Sequence, residues 1–207
     1  MRSAEGGPAQ PVRGNAPANG DSRFGADFAV QYAHMNAIEL AVLVGIQASG
    51  KTTYFRRHMQ ADYLHVSLDN WRGKGNVRRK EHEAILAGLR QAAESGGQKR
   101  GVVVDNTNTT AATRSRYFEY AAEFSRDSGQ PVRVIAYFFD VDLKSCLERN
   151  EQRPKDAPAG VPYHVPPAAI ASFHDRLEPP DYEEGFAEIS RVWIVQDGEF
   201  LVEKAGR

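Results

Sequence analysis

The chain predicts an α/β fold: a parallel sheet of about five strands, helices on both faces, and a helical, proline-rich lid. Three observations carry that expectation. Short apolar runs alternate with stretches of helical periodicity from Ile38 to Val195, the pattern of βαβ units. The first run is almost continuously apolar, as a strand buried on both faces must be. A glycine-rich turn separates that run from the first helical stretch.

The elements follow in order. Residues 38–44 read as the first strand and 51–60 as a helix. A second short strand is expected at 63–68. Helical spacing then runs through 78–94, with Ile85, Leu86, Leu89 and Ala93 on one face. The third strand is expected at 101–104. The next helix, 111–126, places Tyr117, Tyr120, Ala121 and Phe124 together. A fourth strand at 132–139 leads into a helix at 142–151. Prolines and Gly160 make 153–167 a loop. A helix at 168–177 and a last strand at 191–195 complete the pattern. No internal repeat is present.

Ahead of this body, residues 1–22 are rich in Gly and Pro and nearly devoid of large apolar side chains, so they are expected to be a disordered tail. Aromatic residues return at 24–35, where a short docking helix is expected. The domain division is therefore 1–35 as a disordered or loosely docked tail and 36–207 as the folded domain.

Composition bounds the function. A chain of 207 residues fits one core. A net charge of -1 excludes a wholly basic nucleic-acid coat protein, and a single cysteine excludes an internal disulfide. No apolar stretch approaches the ~20 residues of a membrane span, and no signal-peptide core is seen, so a cytoplasmic protein with no membrane partner is expected.

In parallel sheets ligands sit beyond the carboxyl ends of the strands, and that is where the chemistry-bearing residues fall. Gly45-Ile46-Gln47-Ala48-Ser49-Gly50-Lys51-Thr52, followed by Thr53, satisfies G-x-x-x-x-G-K-[ST] between a strand and a helix. Such a loop turns successive N–H groups and a helix N-terminus toward phosphate. Lys51 reaches the β- and γ-phosphates and the Thr52 hydroxyl ligates Mg²⁺, so ATP and Mg²⁺ are the expected cofactors. After strand two, Asp69 is either the acceptor of a proton from an attacking hydroxyl or an N-cap, and Arg72 either holds a phosphate or is solvated. After strand three, Asp105 ends an apolar run where P-loop proteins place the acid that orients Mg²⁺ or its waters. Asn106, Thr107 and Asn108 have turn chemistry as their plain alternative. Arg149 and Arg153 lie four apart, as two guanidiniums on one helix face do, or as a solvated face paired with Glu148 and Glu151. Cys146 is expected to pack as a small hydrophobe. Asp140-Val141-Asp142 lacks the threonine of an aspartyl-phosphatase signature, Lys144 standing in its place.

The combination of 45–52, Asp69 with Arg72, Asp105-Asn106-Thr107-Asn108, and Arg149 with Arg153 resembles the kinase domain of polynucleotide 5′-kinases. It is also similar to zeta-toxin-like and chloramphenicol-phosphotransferase-like kinases. The match covers about residues 38–200 and implies a P-loop NTPase fold. The resemblance implies that Asp69 is the general base, that Arg72 binds the acceptor with Asn108 beside it, and that Arg149 and Arg153 belong to a lid over the ATP phosphates. One departure is Gln47-Ala48, where that family commonly has Pro-Gly.

Basic residues outnumber the four acidic ones between Arg72 and Arg116, whereas from Asp175 to Glu203 nine acidic residues face two basic ones. A basic stretch at the acceptor side suits a polyanion, and Trp71 either stacks on a base or joins the core. The expected function is therefore transfer of the γ-phosphoryl of ATP to a hydroxyl, the 5′-OH of DNA or RNA. A small-molecule kinase acting on a sugar, nucleotide or antibiotic is the alternative. A nucleotide-binding switch working through a protein partner is the alternative of another class.

Overall fold

The computed structural model describes residues 37–72, 75–157, 161, 163–195 and 198–206. The expected tail and docking helix (1–35), Lys74 and the centre of the proline-rich loop lie outside the described residues.

Strand β1 (Ile38–Val44) is buried along its whole length. It is central because, apart from Glu39 near its start, its residues are apolar on both faces, leaving neither side fit for water. Helix α1 (Lys51–Tyr54) runs directly into a π-helical turn, Phe55–Met59. Strand β2 (Tyr63–Val66) ends two residues earlier than periodicity suggests, and Leu68–Trp71 forms a 3-10 turn instead. Helix α2 (Val77–Glu94), strand β3 (Gly101–Asp105), helix α3 (Ala111–Ser128) and strand β4 (Val132–Phe139) follow. Helix α4 (Leu143–Glu151) is capped by Asp142, whose Oδ1 accepts from Ser145 N at 2.8 Å. Helix α5 (Pro167–Asp175), strand β5 (Glu188–Ile194) and strand β6 (Phe200–Lys204) close the chain.

The sheet has six strands in the order β2-β3-β1-β4-β5-β6. The first five are parallel; β6 pairs antiparallel with β5 through Val192↔Val202. The expectation of about five parallel strands thus gains an antiparallel edge strand. One face packs under α2 and α3 through Ile85, Leu89, Tyr117 and Phe124; the other packs under α1 and the π turn through Tyr54, Phe55 and Met59. A third cluster, Ile46, Ala48, Cys146 and Ile170, joins the loop after β1 to α4 and α5. After β1 the chain builds β2 and β3 on one side, then crosses to β4 on the other. The loops after β1, β2 and β3 therefore converge at one end of the sheet, where such folds bind ligands.

Candidate active site

The loop between β1 and α1 is held at both ends. Gly45 N donates to Thr107 O at 2.9 Å, tying it to the turn after β3. Gly50 has φ 97°, and a Cβ there would lie 2.8 Å from Ile194 Cδ1. Only a glycine fits both that backbone and that approach. Ala48 also takes a positive φ, 61°; this is the position at which the Pro-Gly of similar kinases carries its glycine. Its methyl is buried with Ile46, Cys146 and Ile170, which offsets the backbone strain. Lys51 is buried, with Nζ donating to Gly45 O at 2.9 Å and Ile46 O at 2.7 Å. Burial lowers its ammonium to about 8, with the Asp105 carboxylate pulling the other way.

Thr52 Oγ1 donates to Asp105 Oδ2 at 2.7 Å, so the two residues expected at a metal are adjacent. His65 Nε2 lies 3.2 Å from the same oxygen, and its ring stacks on Phe55 with centroids 4.2 Å apart. Burial alone raises the Asp105 carboxyl. The His65 contact, the Lys51 charge and the Thr52 hydroxyl outweigh it and hold the group below the usual carboxylate range.

Asp69 sits on the 3-10 turn and lines a cleft of about 470 Å³ with Lys51, Thr52, Asp105 and Arg153. Ser67, not Asp69, caps that turn: its Oγ accepts from Asp69 N. Burial, joined by the nearby Asp105 charge, raises the Asp69 carboxyl against the pull of Arg72, Lys51 and Arg153. The far wall of the cleft is apolar, formed by Val165, Pro166, Ala169 and Phe173. Gln47 lines the same cleft, and its Oε1 is buried without a protein hydrogen-bond partner among the described residues.

Several residues stand apart from their expected places. Asn108 is not available to an acceptor. It is 1% exposed, its Nδ2 donates to Leu43 O at 2.9 Å, and its Oδ1 lies 2.8 Å from the Tyr117 hydroxyl. It fastens the turn after β3 to β1. Arg153 lies beyond the end of α4 rather than on its face with Arg149, although it lines the cleft. Arg149 reaches Ala48 O at 3.3 Å. Arg72 Nη2 donates to Ala157 O at 2.5 Å, and its guanidinium lies 3.9 Å from the Tyr163 ring centroid. Arg72 therefore joins the 3-10 turn to residues of the segment that follows α4. Trp71 packs, half-buried, against the core under α2 and α3. Glu81, a carboxylate on α2, is fully buried. His65 and Tyr163 were absent from the expected site. The only sequence signal for His65 is its position in a strand registered beside the one that ends in Asp105.

A family model described as an AAA domain matches residues 40–180. The bifunctional polynucleotide phosphatase/kinase of Schizosaccharomyces pombe is 27% identical over 161 residues, 74% of this chain and 33% of that protein. A putative bifunctional polynucleotide phosphatase/kinase of Acanthamoeba polyphaga mimivirus is 26% identical over 164 residues, 79% of this chain and 35% of that protein. The chain thus spans about a third of the length of these curated relatives. Among solved structures, a fungal RNA kinase superposes with TM-score 0.56 at 17% identity, covering 79% of each chain. With its phosphate loop, parallel sheet and family match over most of its length, the chain belongs to the AAA-domain family and carries the fold of the P-loop kinases.

Proposed function

We propose that the chain is an ATP-dependent kinase that moves the γ-phosphoryl group to the 5′-hydroxyl of a DNA or RNA strand. The observation that carries the reading is one cleft holding both halves of the chemistry: Asp69 on one wall, and Lys51 and Thr52 of the phosphate loop on another. Asp69, aimed into that cleft, takes the proton as the acceptor oxygen bonds to the γ-phosphorus and the bond to the β–γ bridging oxygen breaks, releasing ADP. Lys51 and Arg153 offset the charge on the phosphoryl oxygens.

The Mg²⁺ ion used by such kinases fits the donor set. Thr52 Oγ1 and Asp105 Oδ2 are hard oxygen donors side by side at the phosphate loop, and Mg²⁺ takes one or two protein oxygens with phosphate and water completing its shell. When bound it neutralises charge shared between the β- and γ-phosphates. The 5′-hydroxyl acceptor is supported by the two relatives named as polynucleotide phosphatase/kinases and by the Arg72 guanidinium, whose charge reaches Asp69.

A small-molecule kinase is the second reading. It is favoured by the engagement of Arg100, Arg114 and Arg116 in intramolecular ion pairs, which shrinks the basic surface a polyanion would meet. Transfer of labelled γ-phosphate across 5′-hydroxyl oligonucleotides, nucleosides and sugars decides between them. Labelling of the oligonucleotides ahead of the rest is expected. Labelling of a sugar or nucleoside alone would replace the polynucleotide reading, and labelling of nothing would remove the kinase reading.

A further inference from the structure

We infer that Glu81 is a positioning residue for Asp69, acting through the side-chain amide of Asn106. The inference rests on the kinase reading, because it concerns the placement of the group read as the base.

Glu81 lies on α2 and is fully buried. Its two oxygens have different partners. Oε2 faces cations: Arg116 Nε at 3.1 Å and Arg78 Nη1 at 3.3 Å. Oε1 accepts from Asn106 Nδ2 at 2.7 Å, with the Tyr117 hydroxyl at 3.0 Å. A carboxylate only accepts hydrogen bonds, so it forces the NH₂ end of the Asn106 amide toward itself. The other end, Oδ1, must then point the opposite way, where it accepts from Leu68 N at 2.8 Å. Reversing the amide would set oxygen against carboxylate and NH₂ against N–H, replacing two bonds by two repulsions.

Leu68 opens the 3-10 turn that carries Asp69. A second bond, Ser67 Oγ to Asp105 O at 2.9 Å, holds the same turn to the end of β3. The base and the metal-side carboxylate are therefore fixed to one another through β3, and Glu81 sets one of the two fastenings. Neutralising Arg116 and Arg78 accounts for Oε2 and leaves the Oε1 contact to Asn106 unexplained. Positioning matters at this scale because a displacement of about 1 Å at reacting groups costs on the order of 100-fold in rate.

The test is a swap of hydrogen-bonding partners. Glu81→Gln loses the carboxylate that fixes the amide. Asn106→Asp places two carboxylates face to face. The double variant restores complementarity with the two groups exchanged: the amide now on α2 donates to one oxygen of the carboxylate now after β3, while that carboxylate's other oxygen accepts from Leu68 N. Single-turnover phosphoryl transfer to a 5′-hydroxyl oligonucleotide should fall at least tenfold in each single variant, with the ATP Kd of Glu81→Gln within about twofold of wild type, and recover to within about threefold in the double. Leu68 amide hydrogen exchange should speed up in both singles and slow again in the double.

Deficits that multiply in the double variant, or follow ATP affinity, would overturn the inference by showing a merely structural ion pair. So would unchanged exchange at Leu68. If Glu81→Gln does not fold, Asn106→Ser severs the link while leaving the Arg116 and Arg78 pairs intact, and must lower the rate without moving the ATP Kd. A wild-type chain that labels no acceptor while Leu68 exchange follows the swap would overturn the proposed function and uphold the clamp.

Discussion

Asp69 and Lys51 line one cleft with opposite perturbations, and the two set a pH profile. Burial and Asp105 push the Asp69 carboxyl above its ordinary range, so its power to take a proton appears as pH rises through that raised value. Burial lowers the Lys51 ammonium to about 8, so its charge is present below that pH and lost above it. In the free enzyme, kcat/KM for ATP should therefore climb on the acid side and fall above about pH 8; a profile flat from pH 7 to 9.5 would show that Lys51 keeps its charge. Asp69→Asn preserves shape and removes the proton acceptor. Its transfer rate should drop by roughly 10² to 10⁴, the acid limb should vanish, and ATP affinity by calorimetry should hold. Weakened ATP binding with an unchanged rate would instead make Asp69 a metal-side or structural residue. Lys51, Thr52 and their loop were legible because the phosphate cradle is contiguous in sequence. Asn108 turns to the Leu43 carbonyl and the Tyr117 hydroxyl, and a polar residue after a strand carries no mark of whether it faces ligand or backbone. His65 was missed because its partner is 40 residues away, across a strand pairing.

The elements show where local pattern stops informing. The π turn at Phe55–Met59 is invisible to periodicity, since over five residues its spacing and that of an α-helix are indistinguishable. Arg153 satisfies the four-residue spacing from Arg149, yet the residue before Pro154 is driven out of helical backbone, so the helix stops at Glu151. Strand β6 escaped notice because, as an edge strand, it is largely exposed and shows no alternation of burial. Its first residue nevertheless reaches the phosphate loop. Phe200 packs edge-on to Tyr54 at 5.2 Å and His58 at 5.7 Å, and crowds the space above Gly50. Two aromatic pairs at about 0.5–1.5 kcal/mol each imply that Phe200→Ala costs about 1–3 kcal/mol. Chemical denaturation should show that loss, together with weaker ATP binding as the β5–β6 hairpin stops bracing the loop. A variant with unchanged stability and ATP affinity would leave the hairpin a passive edge.

At the scale of the whole molecule, part of the charge asymmetry of the sequence is taken up inside the fold. The acidic stretch near the C-terminus meets the basic stretch directly: fully buried Arg114 pairs with Glu184 at 2.5 Å, and Ala111 N donates to Glu178 Oε2 at 2.7 Å. Arg116 pairs with Glu81 and Arg100 with Glu39. Two exposed cations of α2 also have acidic neighbours, Arg78 with Glu81 and Arg79 with Glu83. A run of charges along a sequence thus overstates the field an approaching strand feels, because linear order does not record which carboxylates fold back onto it. Arg72, which ties the 3-10 turn to Ala157 and whose charge reaches Asp69, is one cation placed beside the cleft. Contacts by Arg72 and one neighbouring cation would neutralise one or two phosphates of the acceptor strand. With a single-strand contribution of about -0.7 per phosphate, the log–log dependence of acceptor Kd on salt should have a slope of about -0.7 to -1.4, flattened by about 0.7 in Arg72→Ala. The measurement is Kd for a 5′-hydroxyl oligonucleotide at several salt concentrations, with ATP saturating and calcium replacing magnesium to slow turnover. A flat response would point to a neutral small acceptor, since it has no condensed counterions to release. A slope much steeper than about -1.4 would show that further cations beyond these contacts meet the strand.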